Sequence, residues 1–262
     1  MRRHWLIAAA VIAASAAGWD AGGAEPPCPP APEPKTAPAA ETKAPDLAPE
    51  AAQVLDKMDE AGRTIETLSA SFDYELNQTL FEDVQKRTGS IAYRRPNQFR
   101  FAFTSNPKEA FVFDGRLLYH RQDATRQLHI WETRRADEPP LEAFELGRSP
   151  FPVPFGQKKE TVLKYFTVTR DAKEEAADKK KRAVLVLVPR EGAKPAGDYQ
   201  RILLWIEPKT GLATRTRLWD SSENITTIDF DKIETNKKAD AKTFERPAVP
   251  ESWEIVDHPK ER

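Results

Sequence analysis

The sequence predicts a mainly β, α+β fold: a large antiparallel sheet that curls, joined by an amphipathic helix. Many short runs with a period of two, separated by turn residues, fill the chain after Ser69. One apolar stripe spaced by threes and fours precedes them, between Val54 and Leu68. At 262 residues, with 39% hydrophobic and 31% charged side chains, the chain has room for one sizeable core.

The N-terminus reads differently from the rest. Arg2 and Arg3 precede an apolar run from Trp5 to Trp19, and Ala21-Gly22-Gly23-Ala24 follows. Positive, apolar, small is the order of a secretory signal peptide, expected over residues 1–24 with cleavage near Ala24; the run is short for a membrane span. Nine of the 22 prolines then crowd residues 25–49, where aliphatic residues are nearly absent. That segment is expected to be a disordered, proline- and alanine-rich tether. Cys28 lies in it behind Glu25-Pro26-Pro27, unlike a bacterial lipidation motif. As the sole cysteine it excludes an intramolecular disulfide, an iron–sulfur cluster and a thiolate zinc site. One domain is expected over residues 50–262.

Val54, Leu55, Met58, Ala61, Ile65 and Leu68 gather on one helical face opposite Asp56, Lys57, Asp59, Glu60 and Arg63. Pro49 suits the first turn, where its missing donor costs nothing. Phe72, Tyr74 and Leu76 then alternate with polar residues. Ile91 and Tyr93 follow Thr88-Gly89-Ser90; Phe99, Phe101 and Phe103 follow Arg95-Pro96. Phe111 and Phe113 run into Asp114-Gly115, a hairpin signal, and Leu117 to Tyr119 return from it. Further strands are expected at His129–Trp131, Val184–Val188, Ile202–Ile206, Leu212–Leu218 and Thr226–Ile233. Short helices are expected at Leu141–Leu146 and Lys158–Lys164. Proline keeps Ser149 to Phe155 irregular. The run from Asp171 to Arg182 mixes both charge signs and reads as a solvated connection.

Forty basic and 41 acidic side chains leave a net charge of −1, so bulk electrostatics favour neither nucleic acid nor an anionic membrane. His120, His129 and His258 have no helical metal-pair spacing, the glycines are scattered, and no nucleophile motif occurs. Neither an enzyme active site, a metal nor a cofactor is expected.

The unusual feature is the aromatic stripe. Ile91, Tyr93, Phe99, Phe101 and Phe103 share one parity, so in an unbroken strand they would face one way, and Phe111 and Phe113 form a second such row. Two readings stay open: an ordinary packed core, or a concave apolar surface that holds lipid chains beneath a helical cover. Arg95 has the same parity, either paired within that surface or reaching out to water beside Pro96.

The phrases Gly89-Ser90-Ile91-Ala92-Tyr93-Arg94-Arg95-Pro96-Asn97-Gln98-Phe99-Arg100-Phe101 and Val112-Phe113-Asp114-Gly115-Arg116-Leu117-Leu118-Tyr119 resemble the LolA family of periplasmic lipoprotein carriers. The likeness covers nearly all of residues 50–262, including Leu68-Ser69-Ala70-Ser71-Phe72, Ser149-Pro150-Phe151, Asn224 to Ile228 and Phe244-Glu245-Arg246-Pro247. It implies an incomplete β-barrel with helices as a lid over an apolar cavity. It further implies a periplasmic, monomeric lipid-binding chaperone without enzymatic activity, serving transport and outer membrane biogenesis. Acylated lipoproteins or lipids would be carried from an inner-membrane donor to an outer-membrane acceptor, with no nucleic acid involved. By the same resemblance Arg95 locks the lid. Phe99 and Phe101 match lining positions; with Ile91, Tyr93, Phe103, Phe111 and Phe113 they make up the expected cavity lining. The tether and the longer Asp171–Arg182 stretch depart from the simple carrier pattern. A regulatory module that senses lipid or envelope stress through protein contact is the alternative reading of the same scaffold.

Overall fold

Twelve strands form one open sheet in this computed structural model, which describes residues 47–133, 154–193 and 199–259. The chain enters through helix α1 (Pro49–Thr64), with proline in its first turn. It continues through β1 (Thr67–Gln78), β2 (Asp83–Arg94), β3 (Gln98–Phe103), β4 (Glu109–Phe113), β5 (Leu117–Gln122) and β6 (Gln127–Glu132). Helix α2 (Lys159–Tyr165) leads into β7 (Phe166–Arg170), helix α3 (Ala172–Ala177) and β8 (Ala183–Pro189). Strands β9 (Arg201–Ile206), β10 (Ala213–Trp219), β11 (Ile225–Thr235) and β12 (Glu254–His258) complete the sheet.

Its order is β12-β6-β5-β4-β3-β2-β1-β11-β10-β9-β8-β7. Neighbours pair antiparallel except β12 with β6, which is parallel. The ends, β12 and β7, do not close on each other, so the expected incomplete barrel with helices over one face is what forms. Hairpin chemistry fixes the register. Asp114 accepts from the backbone N–H groups of Arg116 and Leu117, both at 2.8 Å, and Gly115 supplies the positive φ of 106°. Asp220 does the same for Ser222 and Asn224 between β10 and β11.

The inner face divides by chemistry. Under α1 and α2 it is aliphatic, with Leu55, Met58 and Val162 packed on Leu185, Leu187, Ile202, Leu204 and Leu218. Toward β1–β6 it turns aromatic. Two glycines permit the close fits: a Cβ on Gly211 would meet the Lys57 carbonyl oxygen of α1 at 2.5 Å, and one on Gly89 would meet the Phe72 ring at 2.2 Å. The outer face carries two smaller clusters, Val184, Val186, Leu203 and Trp205, and Val112, Tyr119 and Leu128. The segment after β11 lies over the latter through Val249, and its Phe244 is buried beneath the Arg94 guanidinium.

Several expectations are corrected. Leu68 belongs to β1, because α1 ends at Thr64, where Ile65 takes extended backbone angles. The Asp171–Arg182 stretch is not merely a solvated connection: Asp171 caps α3 by accepting from the Glu174 N–H, and Arg182 is buried on Asp178 at 2.6 Å. Strands β7 and β12 were not foreseen. The expected Leu141–Leu146 helix, the signal peptide, Cys28 and the tether as far as Asp46 lie outside the described residues. So does most of the segment from Ser149; its Pro154 and Phe155 are buried. Leu47, within the expected tether, packs against the aliphatic cluster.

Candidate functional site

Ladder registry assembles the aromatic face. Directly opposed residues of an antiparallel pair point to the same side. Tyr93 opposes Phe99, which opposes Phe113; Ile91 opposes Phe101, which opposes Phe111; Phe103 opposes Gly89 and Glu109. All seven expected lining residues therefore share the inner face, although no unbroken strand carries them: Arg95-Pro96 ends one strand before the next begins. Phe72, Tyr74 and Phe230 join them from β1 and β11. The rings pack on one another, with Phe72 stacked on Phe101 at 4.3 Å between centroids and Phe99 tilted against Phe113 at 5.7 Å. Phe155 reaches the face from outside the sheet, edge-on to Phe230 at 4.8 Å. Tyr93 is half-buried and turns its hydroxyl to the Pro96 carbonyl at 3.3 Å. In this arrangement the aromatic surface is covered.

Helix α1, which lies over the aliphatic part of the same face, is fastened at its C-terminal end. Arg95, in the β2–β3 turn, donates from Nε to the Ile65 carbonyl at 3.0 Å and from Nη2 to those of Gly62 and Arg63 at 2.9 and 3.1 Å. These carbonyls lie at the C-terminal end of α1, that of Gly62 also accepting from the Ile65 N–H at 3.4 Å, and a cation there complements the helix dipole. The Arg95 backbone N–H also donates to the Glu66 carbonyl, at 2.8 Å. Asn236, just past β11, adds a second tie: its Nδ2 donates to the Thr64 carbonyl and its Oδ1 accepts from the Glu66 N–H. Along the helix, Lys159 pairs with Asp56 at 2.5 Å and Arg170 with Glu50 at 3.3 Å, both exposed enough to matter little.

A polar group interrupts the aromatic face. Arg87 pairs with Glu109 at 2.8 Å, donates to the Pro107 carbonyl at 2.8 Å and lies over the Phe103 ring at 3.4 Å. His120 Nε2 contacts the other Glu109 oxygen at 2.6 Å and stacks on Phe111 at 4.1 Å. Burial alone would raise the Glu109 carboxyl, but hydrogen bonds from His120 and Arg87 outweigh it and hold the group below the ordinary carboxylate range. His129 follows His120 in the same row, stacks on Trp131 and meets His258 of β12 at 3.0 Å. Burial, then the neighbouring His120 and His258, lower its proton affinity. No cluster of three or more metal-ligating side chains exists among the described residues.

Asn236, Arg87, Glu109 and Phe155 were absent from the expected site. Arg87 was within reach, since it shares parity with Ile91 and Tyr93. The Asp114-Gly115 hairpin also puts His120 opposite Phe111. Asn236 and Phe155 carry no such signal.

The solved structures that align with this chain do so at low identity. An uncharacterized conserved protein from Thermus thermophilus aligns over 80% of this chain and 99% of its own, at 10% identity and a TM-score of 0.48. A chain of the Pseudomonas aeruginosa MucA/MucB complex aligns over 77% of this chain and 63% of its own, at 16% identity and 0.42. The Mycobacterium tuberculosis lipoprotein LppX aligns over 74% and 99%, at 9% identity and 0.39. No curated protein matches the sequence. The family model for the outer membrane lipoprotein carrier protein LolA, by contrast, matches residues 63–247, spanning Arg95, the aromatic strands and Asn236. No helix among the described residues is long and apolar enough to cross a membrane. With that match over most of its length, the chain belongs to the LolA family of outer membrane lipoprotein carriers.

Proposed function

We propose that the protein is a periplasmic carrier that holds the acyl chains of lipoproteins or lipids on its aromatic inner face and transfers them between inner and outer membrane. Arg95 is the lid lock. Ile91, Tyr93, Phe99, Phe101, Phe103, Phe111 and Phe113 are the lining. The observation that carries the reading is the set of three Arg95 hydrogen bonds to carbonyls at and just past the C-terminal end of α1, which tie a helix over an apolar face through groups that water can replace. Such an exchange changes the free energy little, about 1 kcal/mol per bond, so the helix can lift without unfolding the sheet. Burial is worth about 0.8 kcal/mol per methylene, so an acyl chain gains enough to hold the rings apart, with loose specificity among chains.

The test is cargo release. Arg95→Leu removes all three side-chain bonds. A fluorescent diacylated lipopeptide loaded into the variant should pass to acceptor vesicles at a rate changed several-fold from that of the wild type. Unchanged loading and release would remove Arg95 from the mechanism. Stable retention by both proteins, with no passage to any acceptor, would favour a sensing module over a carrier.

A further inference from the structure

A trough runs along the outer face, opposite the aromatic surface, and its construction is independent of the cargo reading. One wall is the outer side of β2–β5; the other is the segment from Lys242 to Ala248, which starts in a 3-10 turn (Ala241–Phe244) and continues without regular structure. Its volume is about 620 Å³. The floor is low because Ser90, Ala102 and Ala110 are cross-strand neighbours in one row, so three adjacent strands contribute only short side chains there. Val112 continues that floor one row along.

The rim is charged and unbalanced. Arg121 is neutralised by Asp123 at 2.8 Å. Glu109 has turned to the other face of the sheet, where Arg87 and His120 take both its oxygens. That leaves Arg100, Lys108, Lys242 and Arg246, all exposed and none in an ion pair among the described residues, against the single carboxylate of Glu245. In a molecule whose total charge is −1, this is a local excess of positive charge on both sides of a narrow apolar floor.

We propose that this trough docks an extended acidic segment of a partner polypeptide, one that alternates carboxylates with small or aliphatic side chains. The alternation follows from the geometry. A strand-like peptide turns successive side chains to opposite sides. One set would fill the Ala102–Ala110–Val112 floor while the carboxylates turn out to the rim guanidinium and ammonium groups. Arginine supplies paired donors that fit a carboxylate. A compact anion would use the rim and leave the apolar floor bare, and a phospholipid headgroup would bring chains for which the floor offers too little apolar surface. The contact also leaves the inner face free, so a partner could hold the carrier while the cargo moves.

Fluorescence anisotropy with the full chain tests this, using a labelled eight-residue peptide alternating Glu and Val, and its Lys and Val counterpart as control. The Glu peptide should bind saturably and weaken as salt is raised, while the Lys peptide should not bind. R100E/R246E should weaken binding at least tenfold, and S90W, which fills the trough from an exposed floor position, should weaken it with no change of charge. E245K should tighten it several-fold. K179E/K180E changes the net charge equally but lies between α3 and β8, and should leave affinity unchanged. Absence of saturable binding, equal binding of the Lys peptide, or equal weakening by K179E/K180E would each overturn the proposal. Loading of the lipopeptide by R100E/R246E should stay at the wild-type level, which separates a failure here from a failure of the carrier reading.

Discussion

Arg95 and Arg87 illustrate two ways a cation can sit at an apolar face. Arg95 spends its donors on carbonyls at the C-terminal end of α1 and on the exposed Glu66 carboxylate at 3.2 Å, so its partners can return to water when the helix lifts. Arg87 is committed to the Glu109 carboxylate in a buried setting, where loss of one partner strands the other charge. Arg87→Met should therefore cost about 3–5 kcal/mol in denaturant unfolding, whereas Arg95→Leu should cost about 1–3 kcal/mol. The ordering is the test: equal costs would place Arg95 in the structural core. Phe101 is stacked on Phe72 and nearly enclosed, so Phe101→Ala should lower stability by about 3 kcal/mol. The same substitution should weaken lipopeptide loading, because it removes a ring from the proposed lining. Loading at the wild-type level by a folded Phe101→Ala protein would remove that ring from the site.

The elements differ in how far the sequence announced them. Parity put the seven proposed lining residues on one face, where the ladder also places them, yet for a reason other than the one it assumed. They share a face because Tyr93 opposes Phe99 and Ile91 opposes Phe101 across a hairpin, not because one strand runs through Arg95-Pro96. Hairpin strands were legible because turn residues punctuate them. β7 and β12 were not: each is only five residues long, β7 reaches its partner β8 across a charged stretch rather than a short turn, and β12 takes its place by pairing with the distant β6. The Asp171–Arg182 stretch misled because a charged run usually faces water. Here Asp178 and Arg182 satisfy each other at one end of α3, and Arg182 holds the Asp178 carboxyl down to about 2. That contribution to stability is present above the ordinary aspartate value of 3.8 and is lost as pH falls toward 2. Arg182→Ala should remove about 3 kcal/mol at neutral pH, read as a lowered unfolding midpoint. β12 should respond at milder pH. The proton affinity of His129 is below its ordinary value of 6.5, so the folded state favours the neutral ring and loses stability as pH falls through that range. His129 and His258 can share a hydrogen bond only while one of them is neutral. Between about pH 8 and pH 5 the amide signals of β12 should shift or broaden in NMR spectra while those of β8 and β9 stay fixed. Invariant β12 signals would contradict that reading.

At the scale of the whole molecule, one sheet serves two surfaces of opposite character. The inner face passes from an aliphatic floor under α1 and α2 to an aromatic one crossed by the Arg87–Glu109–His120 cluster. The outer face carries small clusters and a cation-rimmed trough. The open order of twelve strands, with β12 and β7 unjoined, lets the inner face be covered by helices rather than sealed by hydrogen bonds, and a helical cover can be displaced. Native mass spectrometry of the protein isolated gently from its own cells, followed by lipid extraction, tests the central claim most directly. The account predicts a population heavier than the chain by one acylated species, enriched further when the apoprotein is incubated with a diacylated lipopeptide. A mass equal to the bare chain, unchanged after incubation with lipopeptide or free lipid, would contradict it and leave the aromatic face a closed core.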